Sequence, residues 1–244
     1  MMAGLQGIAV ESTAQLLAGA WLTVQLTALA MLVGTTLAFP LALMRTSRHG
    51  WLRAPAYGYV FFFRGTPLLV QIFLVYYGLA QFAAVRDSLL WPVLGEAYWC
   101  AIIAFSLNTA AYTAEIIRGG MLAVPRGERE AGYALGLSSW QEIRLIVLPR
   151  AVQQALPAYG NEVILMLKGS ALASTITLLE LTGVARTLIA RTYLAVEFFA
   201  LAGLIYLFLT LLIVRGVRAL ERRWALPGQP LDTVAGTRHG DLLS

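Results

Sequence analysis

Between residues 12 and 44 the chain carries no charged side chain, and no other feature narrows its folding so far. About 20 mostly apolar residues cross the hydrocarbon layer of a bilayer as a helix. Inside lipid the backbone finds no water, so a lone spanning segment satisfies its N–H and C=O groups as a helix. The surplus length of this run leaves room for tilt. Four more runs follow. The second covers 68–85 and opens with RGTPLLVQ, where Thr66 suits an N-cap and Pro67 the first helical position. That start leaves 51–63 as an interfacial segment. The third run, 97–114, ends at Glu115 and Arg118. The fourth, 157–179, contains Asn161, Glu162 and Lys168, and the fifth, 198–214, lies between Glu197 and Arg215.

Composition agrees with lipid as the main solvent. Charged residues make up 13% of the chain, against roughly 25% in an average soluble domain. The expected fold class is therefore an all-α membrane protein with five transmembrane helices. The single cysteine, Cys100, excludes an intrachain disulfide and a cysteine-based metal cluster. With no basic segment or small-residue cleavage site around it, the first run reads as retained. Residues 1–226 form one transmembrane domain, and the tail 227–244 has the composition of a disordered segment.

The arginines give an orientation. Arg45, Arg48 and Arg53 follow the first run. Arg118, Arg126, Arg129, Arg144 and Arg150 separate the third from the fourth, and Arg215, Arg218, Arg222 and Arg223 follow the fifth. Five spans put these twelve on one side and leave Arg86, Arg186 and Arg191 on the other. The positive-inside rule assigns the twelve to the cytoplasm, so the N-terminus lies outside and the C-terminus inside. The same placement accounts for the net charge of +5 without nucleic acid.

The third and fourth runs are separated by a mixed stretch, REAGYALGLSSWQEIRLIVLP (129–149). Helix formers from Glu128 to Leu135 predict a short helix, and Gly136 supplies a left-handed residue to end it. Ser139 with Glu142 fits a capping box that starts a second helix. On that helix Trp140, Ile143 and Val147 share a face, with Gln141, Glu142 and Arg144 turned elsewhere, and Pro149 stops it. By periodicity alone this is an amphipathic hairpin lying on the membrane.

The spacing says more. Glu130-Ala131-Gly132, three residues, Gly136, nine residues, then Ile146-x-Leu148-Pro149 resembles the EAA loop of bacterial ABC importer permeases, departing from it only at Gly132, where the family usually has alanine. FRGTPLLVQIFLVYYGL (63–79), SLNTAAYTAEIIRGGMLAVPRGEREA (106–131), ALPAYGNEVILMLKGSALAS (155–174) and ALERRW (219–224) are similar to the polar amino acid permeases as well. The likeness is strongest to the M-type subunits of the histidine/lysine/arginine and opine branch. It implies a type I ABC importer permease fold in a bacterial inner membrane. It also implies a second permease subunit, either a paralogue, which the M-type likeness favours, or a second copy of this chain, with two ATPase subunits beneath and an extracytoplasmic binding protein that delivers an amino acid. ATP and Mg would be held by the ATPase partners, and no cofactor or metal by this chain. On this resemblance the loop at about 119–156 docks the ATPase, with Glu130, Ala131, Gly132, Gly136, Ile146, Leu148 and Pro149 as its coupling residues. Small residues at 131, 132 and 134 allow close approach.

Polar groups at membrane depth are costly and usually functional, so Arg64, Thr66, Glu115, Asn161, Glu162 and Lys168 are the candidates for the translocation path. An amino acid needs a cation for its carboxylate, which Lys168 or Arg64 offers, and an acceptor for its ammonium, which Glu162 or Glu115 offers. Each is equally read as a structural ion pair or an interfacial residue. Lys168-Gly169-Ser170 lacks the glycine loop of a P-loop. The two histidines, His49 and His239, lie outside the runs, and no catalytic constellation is present. The competing class is an ion-gradient-driven secondary transporter or channel with no ATPase partner; the lack of an internal repeat argues against it.

Overall fold

The computed structural model describes residues 2–224, so the expectation of a disordered tail lies outside the described residues. Among those residues the chain is helical throughout, with no strand. Three helices are long and apolar enough to cross a membrane alone: α1 (Met2–Thr46), α6 (Ala97–Leu122) and α11 (Ala195–Trp224). Two bent helix pairs pass the same test of length and composition, each as a broken span or a re-entrant loop. Helix α2 (Gly50–Gly65) bends by 105° into α3 (Leu68–Phe73), which runs on through a π turn and a 3-10 turn to Gln81. Between α3 and α6 lie two one-turn helices, α4 (Ala83–Arg86) and α5 (Trp91–Leu94). After α6 come α7 (Arg126–Ala134), α8 (Ser139–Glu142), α9 (Leu148–Gly169) and α10 (Leu181–Thr192). The segment from Ser139 to Ile176 meets α10 at 49°, and the pair passes as one crossing. Counted as one span each, the pairs bring the total to five.

The boundaries depart from the sequence reading where polar residues find partners. The third helix does not stop at Glu115 but runs on to Leu122, because Glu115 is paired with Arg45 and Arg118. The expected interfacial segment 51–63 belongs to helix α2, with Ala56 and Val60 buried and the Tyr59 hydroxyl donating to the Leu107 carbonyl at 2.7 Å. Thr66 is not an N-cap. It ends α2 in extended backbone, where its N–H and its hydroxyl (2.8 Å) both donate to the Phe62 carbonyl, and Pro67 precedes α3 without a capping side chain. Helix α10 was not expected from its threonines, glycine and arginines. It starts because the buried Glu180 carboxylate accepts the N–H groups of Thr182 (2.8 Å) and Gly183 (2.9 Å), satisfying two of the orphan donors of a helix start.

Inside lipid the sequestering of apolar groups gives no drive toward the bundle centre, so close packing and hydrogen bonds take over. The centre accordingly uses small residues. Ala30, Ala38, Ala42, Ala101, Ala104, Ala110, Ala111 and Ala114 are buried, and Gly34 leaves so little space that a Cβ would sit 2.6 Å from Thr109. Leu26, Ile72, Phe105 and Met166 fill the core between α1, α3, α6 and α9. Large apolar side chains such as Trp21, Leu32, Leu204 and Phe208 stay exposed on the outside of the chain.

Contacts sort the arginines by end. Arg45 meets Glu115, Arg150 meets Glu128, and Gln153 bonds to Trp224. The closings of α1, α6 and α11 and the opening of α9 therefore share one end. At the other, Thr23 of α1 accepts the Leu181 N–H at the start of α10, the helix that carries Arg186 and Arg191. Thr23 and Arg45 are separated along α1 by about 33 Å at 1.5 Å per residue, close to the thickness of the hydrocarbon layer.

Candidate functional site

The break in the second span creates a polar cleft. Thr66 (φ −112°, ψ 145°) and Pro67 (φ −62°, ψ 137°) are extended, which frees backbone carbonyls that lipid would leave unsatisfied. Gln71 takes them: its amide nitrogen donates to Phe63 O (2.8 Å), Thr66 O (3.0 Å) and Thr66 Oγ1 (2.8 Å). Its amide oxygen accepts from Asn108 Nδ2 at 2.9 Å, which fastens the break to α6. Over this platform lies a cleft of about 430 Å³ lined by Arg64, Thr66, Asn108, Tyr112, Glu162 and Leu165, among others. The Arg64 guanidinium sits 5.1 Å from the Tyr112 ring centroid and has no ion-pair partner among the described residues. Glu162 is buried, and Arg64 is the charge that acts on it across the cleft.

Of the six path candidates, Arg64, Thr66 and Glu162 are thus brought together. Glu115 stands elsewhere, in a smaller cleft of about 280 Å³ shared with Arg45, Tyr57 and Arg64. Both of its oxygens are occupied, one by Arg45 at 2.8 Å and the other by Arg118 at 2.7 Å. Asn161 and Lys168 do not line the cleft. They are exposed on α9 on the face of Leu165, which does border it. The sequence reading passed over Gln71, Asn108 and Tyr112. Their signal was polarity at membrane depth, as for Glu162, but an uncharged amide within an apolar run stands out less.

The 129–149 stretch forms a tight hairpin. Helix α7 closes with Gly136 at φ 77°, the Leu137 N–H on Gly132 O (3.1 Å) and the Gly136 N–H on Tyr133 O (2.9 Å). This is the paired bonding of a Schellman closure. The capping box is one residue earlier than expected: Ser138 and Gln141, not Ser139 and Glu142. That shift turns Glu142 inward, where it is 1% exposed and accepts from Arg129 Nε and the Tyr133 hydroxyl, each at 2.5 Å. Hydrogen bonding to Arg129, then to Tyr133, holds its carboxyl below the usual glutamate range. Pro149 does not stop the helix. A π turn over Ile143–Val147 leads directly into α9, whose first turn holds the proline, where a missing N–H costs little. The wider turn also breaks the expected Trp140–Ile143–Val147 face: Val147 is buried, the other two exposed. Glu130, Ala131, Ala134 and Gly136 are exposed, whereas Gly132 is buried, and a Cβ on it would lie 2.6 Å from Ile146 Cδ1. Gly132 thus faces the chain's own Ile146 and not an outside surface. Leu148 is half-buried, and Pro149 is exposed.

Residues 20–226 match the family described as binding-protein-dependent transport system inner membrane component. The chain belongs to this family. Among its relatives, the octopine transport system permease protein OccM of Rhizobium radiobacter is 56% identical over 211 residues, 86% of this chain and 85% of that protein. The nopaline transport system permease protein NocM of Agrobacterium fabrum is 48% identical over 229 residues, covering 93% and 94%. The histidine/lysine/arginine/ornithine permease protein HisM of Escherichia coli K12 is 38% identical over 216 residues, covering 88% and 91%. A crystal structure of an amino acid ABC transporter with histidines superposes with a TM-score of 0.79 at 35% identity, covering 88% of this chain and 96% of that one. The type I importer permease fold follows, and this inner membrane component is a permease subunit like its relatives. Membership in a binding-protein-dependent family sets aside the lone secondary transporter.

Proposed function

We propose that the chain is the M-type membrane subunit of an ATP-driven importer for basic amino acids or opines. In this reading it supplies half of the pathway beside a paralogous subunit. An extracytoplasmic binding protein lies on the side of its N-terminus, and two ATPases, which carry ATP and Mg, lie under its arginine-rich end. The observation that carries the substrate class is the cleft, where an unpaired guanidinium (Arg64) and a buried carboxylate (Glu162) stand over an amide platform. Arg64 receives the α-carboxylate, and Glu162 receives the ammonium or a cationic side chain, a pairing in which each charge replaces lost hydration. The names of OccM, NocM and HisM point the same way. The exposed strip Asn161, Leu165, Lys168 continues from the cleft and faces the second subunit.

Docking of the ATPase falls to the exposed side of the hairpin, Glu130, Ala131 and Gly136, with Gly132, Ile146, Leu148 and Pro149 shaping it from behind. ATP must bind the two conformations of the transporter with different affinity for closure to drive a switch. The test is uptake by the reconstituted complex carrying Glu162→Gln. Uptake of a cationic amino acid falls more than that of a neutral one; an equal fall for both removes Glu162 from side-chain recognition.

A further inference from the structure

The hairpin is not merely attached to the bundle through its chain ends. Two carboxylates that the EAA spacing does not include fasten it. Glu128, at the start of α7, takes a two-point grip from Arg150 in the first turn of α9, with Nη2 at 2.6 Å from one oxygen and Nε at 2.8 Å from the other. Glu142, just before the π turn, holds Arg129 and Tyr133 of α7. Paired charges in a two-point geometry fix direction as well as distance. Behind them α6 is pressed onto α9: a Cβ at Gly120 would lie 2.4 Å from the Ala151 carbonyl oxygen. From Ile143 the helix continues without a break to Gly169. Glu162 stands on it twelve residues after Arg150, about 18 Å along the axis.

We propose that these two clusters, Glu128–Arg150 and Glu142 with Arg129 and Tyr133, form the strut that carries motion of the docked hairpin into α9 and so to the cleft carboxylate. The inference rests on the coupling role proposed above. A hairpin held only by its exposed turn would pivot under load. Gripped at both ends, α7 moves as one body with α9, and displacement at Gly136 becomes displacement at Glu162. Glu128, Arg129, Tyr133, Glu142 and Arg150 are then positioning residues that touch neither substrate nor nucleotide.

The test uses the complete transporter, both membrane subunits with the ATPase, reconstituted in proteoliposomes and supplied with the binding protein. The variants are Glu128→Arg, Arg150→Glu and the two together, with Tyr133→Phe as a milder probe should a single reversal fail to assemble. Each single reversal keeps the ATPase in the purified complex but lowers uptake per ATP hydrolysed by about tenfold, the factor that losing one charge-assisted contact represents. Tyr133→Phe lowers it less. The double reversal restores uptake per ATP to within about threefold of the parent, because the pair can re-form. Wild-type uptake per ATP in the single variants or in Tyr133→Phe overturns the strut, as does a double reversal no better coupled than either single. Loss of the ATPase from the single variants also overturns it, making these residues docking contacts while the coupling role stands. An unmodified chain that retains no ATPase sinks the coupling role itself.

Discussion

Gly136 allows the docking role proposed for the hairpin to be separated from its folding. Its backbone is left-handed, φ 77°, and a Cβ built on it meets nothing within 4 Å. A side chain there therefore costs the chain only the left-handed conformation, about 1–2 kcal/mol for an L-residue, and no steric clash. That energy corresponds to a factor of about 5–30 in an equilibrium, an upper bound on what disordering the hairpin can do to ATPase affinity. Gly136→Ala and Gly136→Trp carry nearly the same backbone cost but differ greatly in volume. Docking over this open surface predicts that Ala weakens ATPase binding within that bound, while Trp exceeds it and abolishes uptake, with membrane insertion intact in both. The assay is titration of the purified ATPase subunit onto solubilised membrane complex, followed by uptake in proteoliposomes. If Trp binds ATPase no more weakly than Ala, no partner seats on Gly136.

Adjacent glycines give a packing control: Gly120→Ala drives a methyl to 2.4 Å from Ala151 O, whereas Gly119 has open space. Gly120→Ala should lose about 1–3 kcal/mol and Gly119→Ala gain up to about 1 kcal/mol from helix propensity, read as opposite shifts in thermal unfolding. The Glu142 carboxyl is held below its usual range by Arg129 and Tyr133, so its stabilisation is fully present above the unfolded glutamate value of about 4.3 and is lost as pH falls below it. Protection factors in α7 and α8, with the intrinsic slowing of amide exchange in acid divided out, should hold from neutral pH down to that value and fall beneath it, and Glu142→Gln should flatten the profile; a fall already at pH 6 would implicate another group. Glu180→Ala strands the Thr182 and Gly183 N–H groups and one bond from Tyr206 (3.0 Å), at about 1–3 kcal/mol per buried orphan. Tyr206→Phe, which removes a single donor, should be milder in a thermal melt, and a reversed order would refute the capping role.

What was legible in the sequence follows from how each element is specified. Three spans are written in apolar length alone, and the hairpin closure is written in one glycine, because only Gly accepts φ 77° at no cost. The two bent crossings are not written that way. Their form depends on Gln71 reaching back to Phe63 and Thr66, and on Glu180 capping α10. These bonds join residues whose spacing has no helical or strand period. Glu142 was misplaced for a related reason: a one-residue shift of the cap, from Ser139 to Ser138, rotates the next turn by about 100° and exchanges surface for interior.

The partners of the carboxylates bear on the role proposed for Glu162. At membrane depth or in a buried turn a charged group persists only where it is partnered or functional. Glu115 gives its two oxygens to Arg45 and Arg118, Glu128 to Arg150, and Glu142 to Arg129 and Tyr133. Glu180 spends its oxygens on two backbone N–H groups and Tyr206. Glu162 is buried like Glu142 and Glu180, yet among the described residues no donor bonds to it. It faces a cleft whose guanidinium, Arg64, is stacked on an aromatic ring and not ion-paired. A fixed structural pair would have closed that gap, as Arg45 closes it on Glu115. An open gap between opposite charges is the arrangement a zwitterion fills, and it lies on the helix that the hairpin grips.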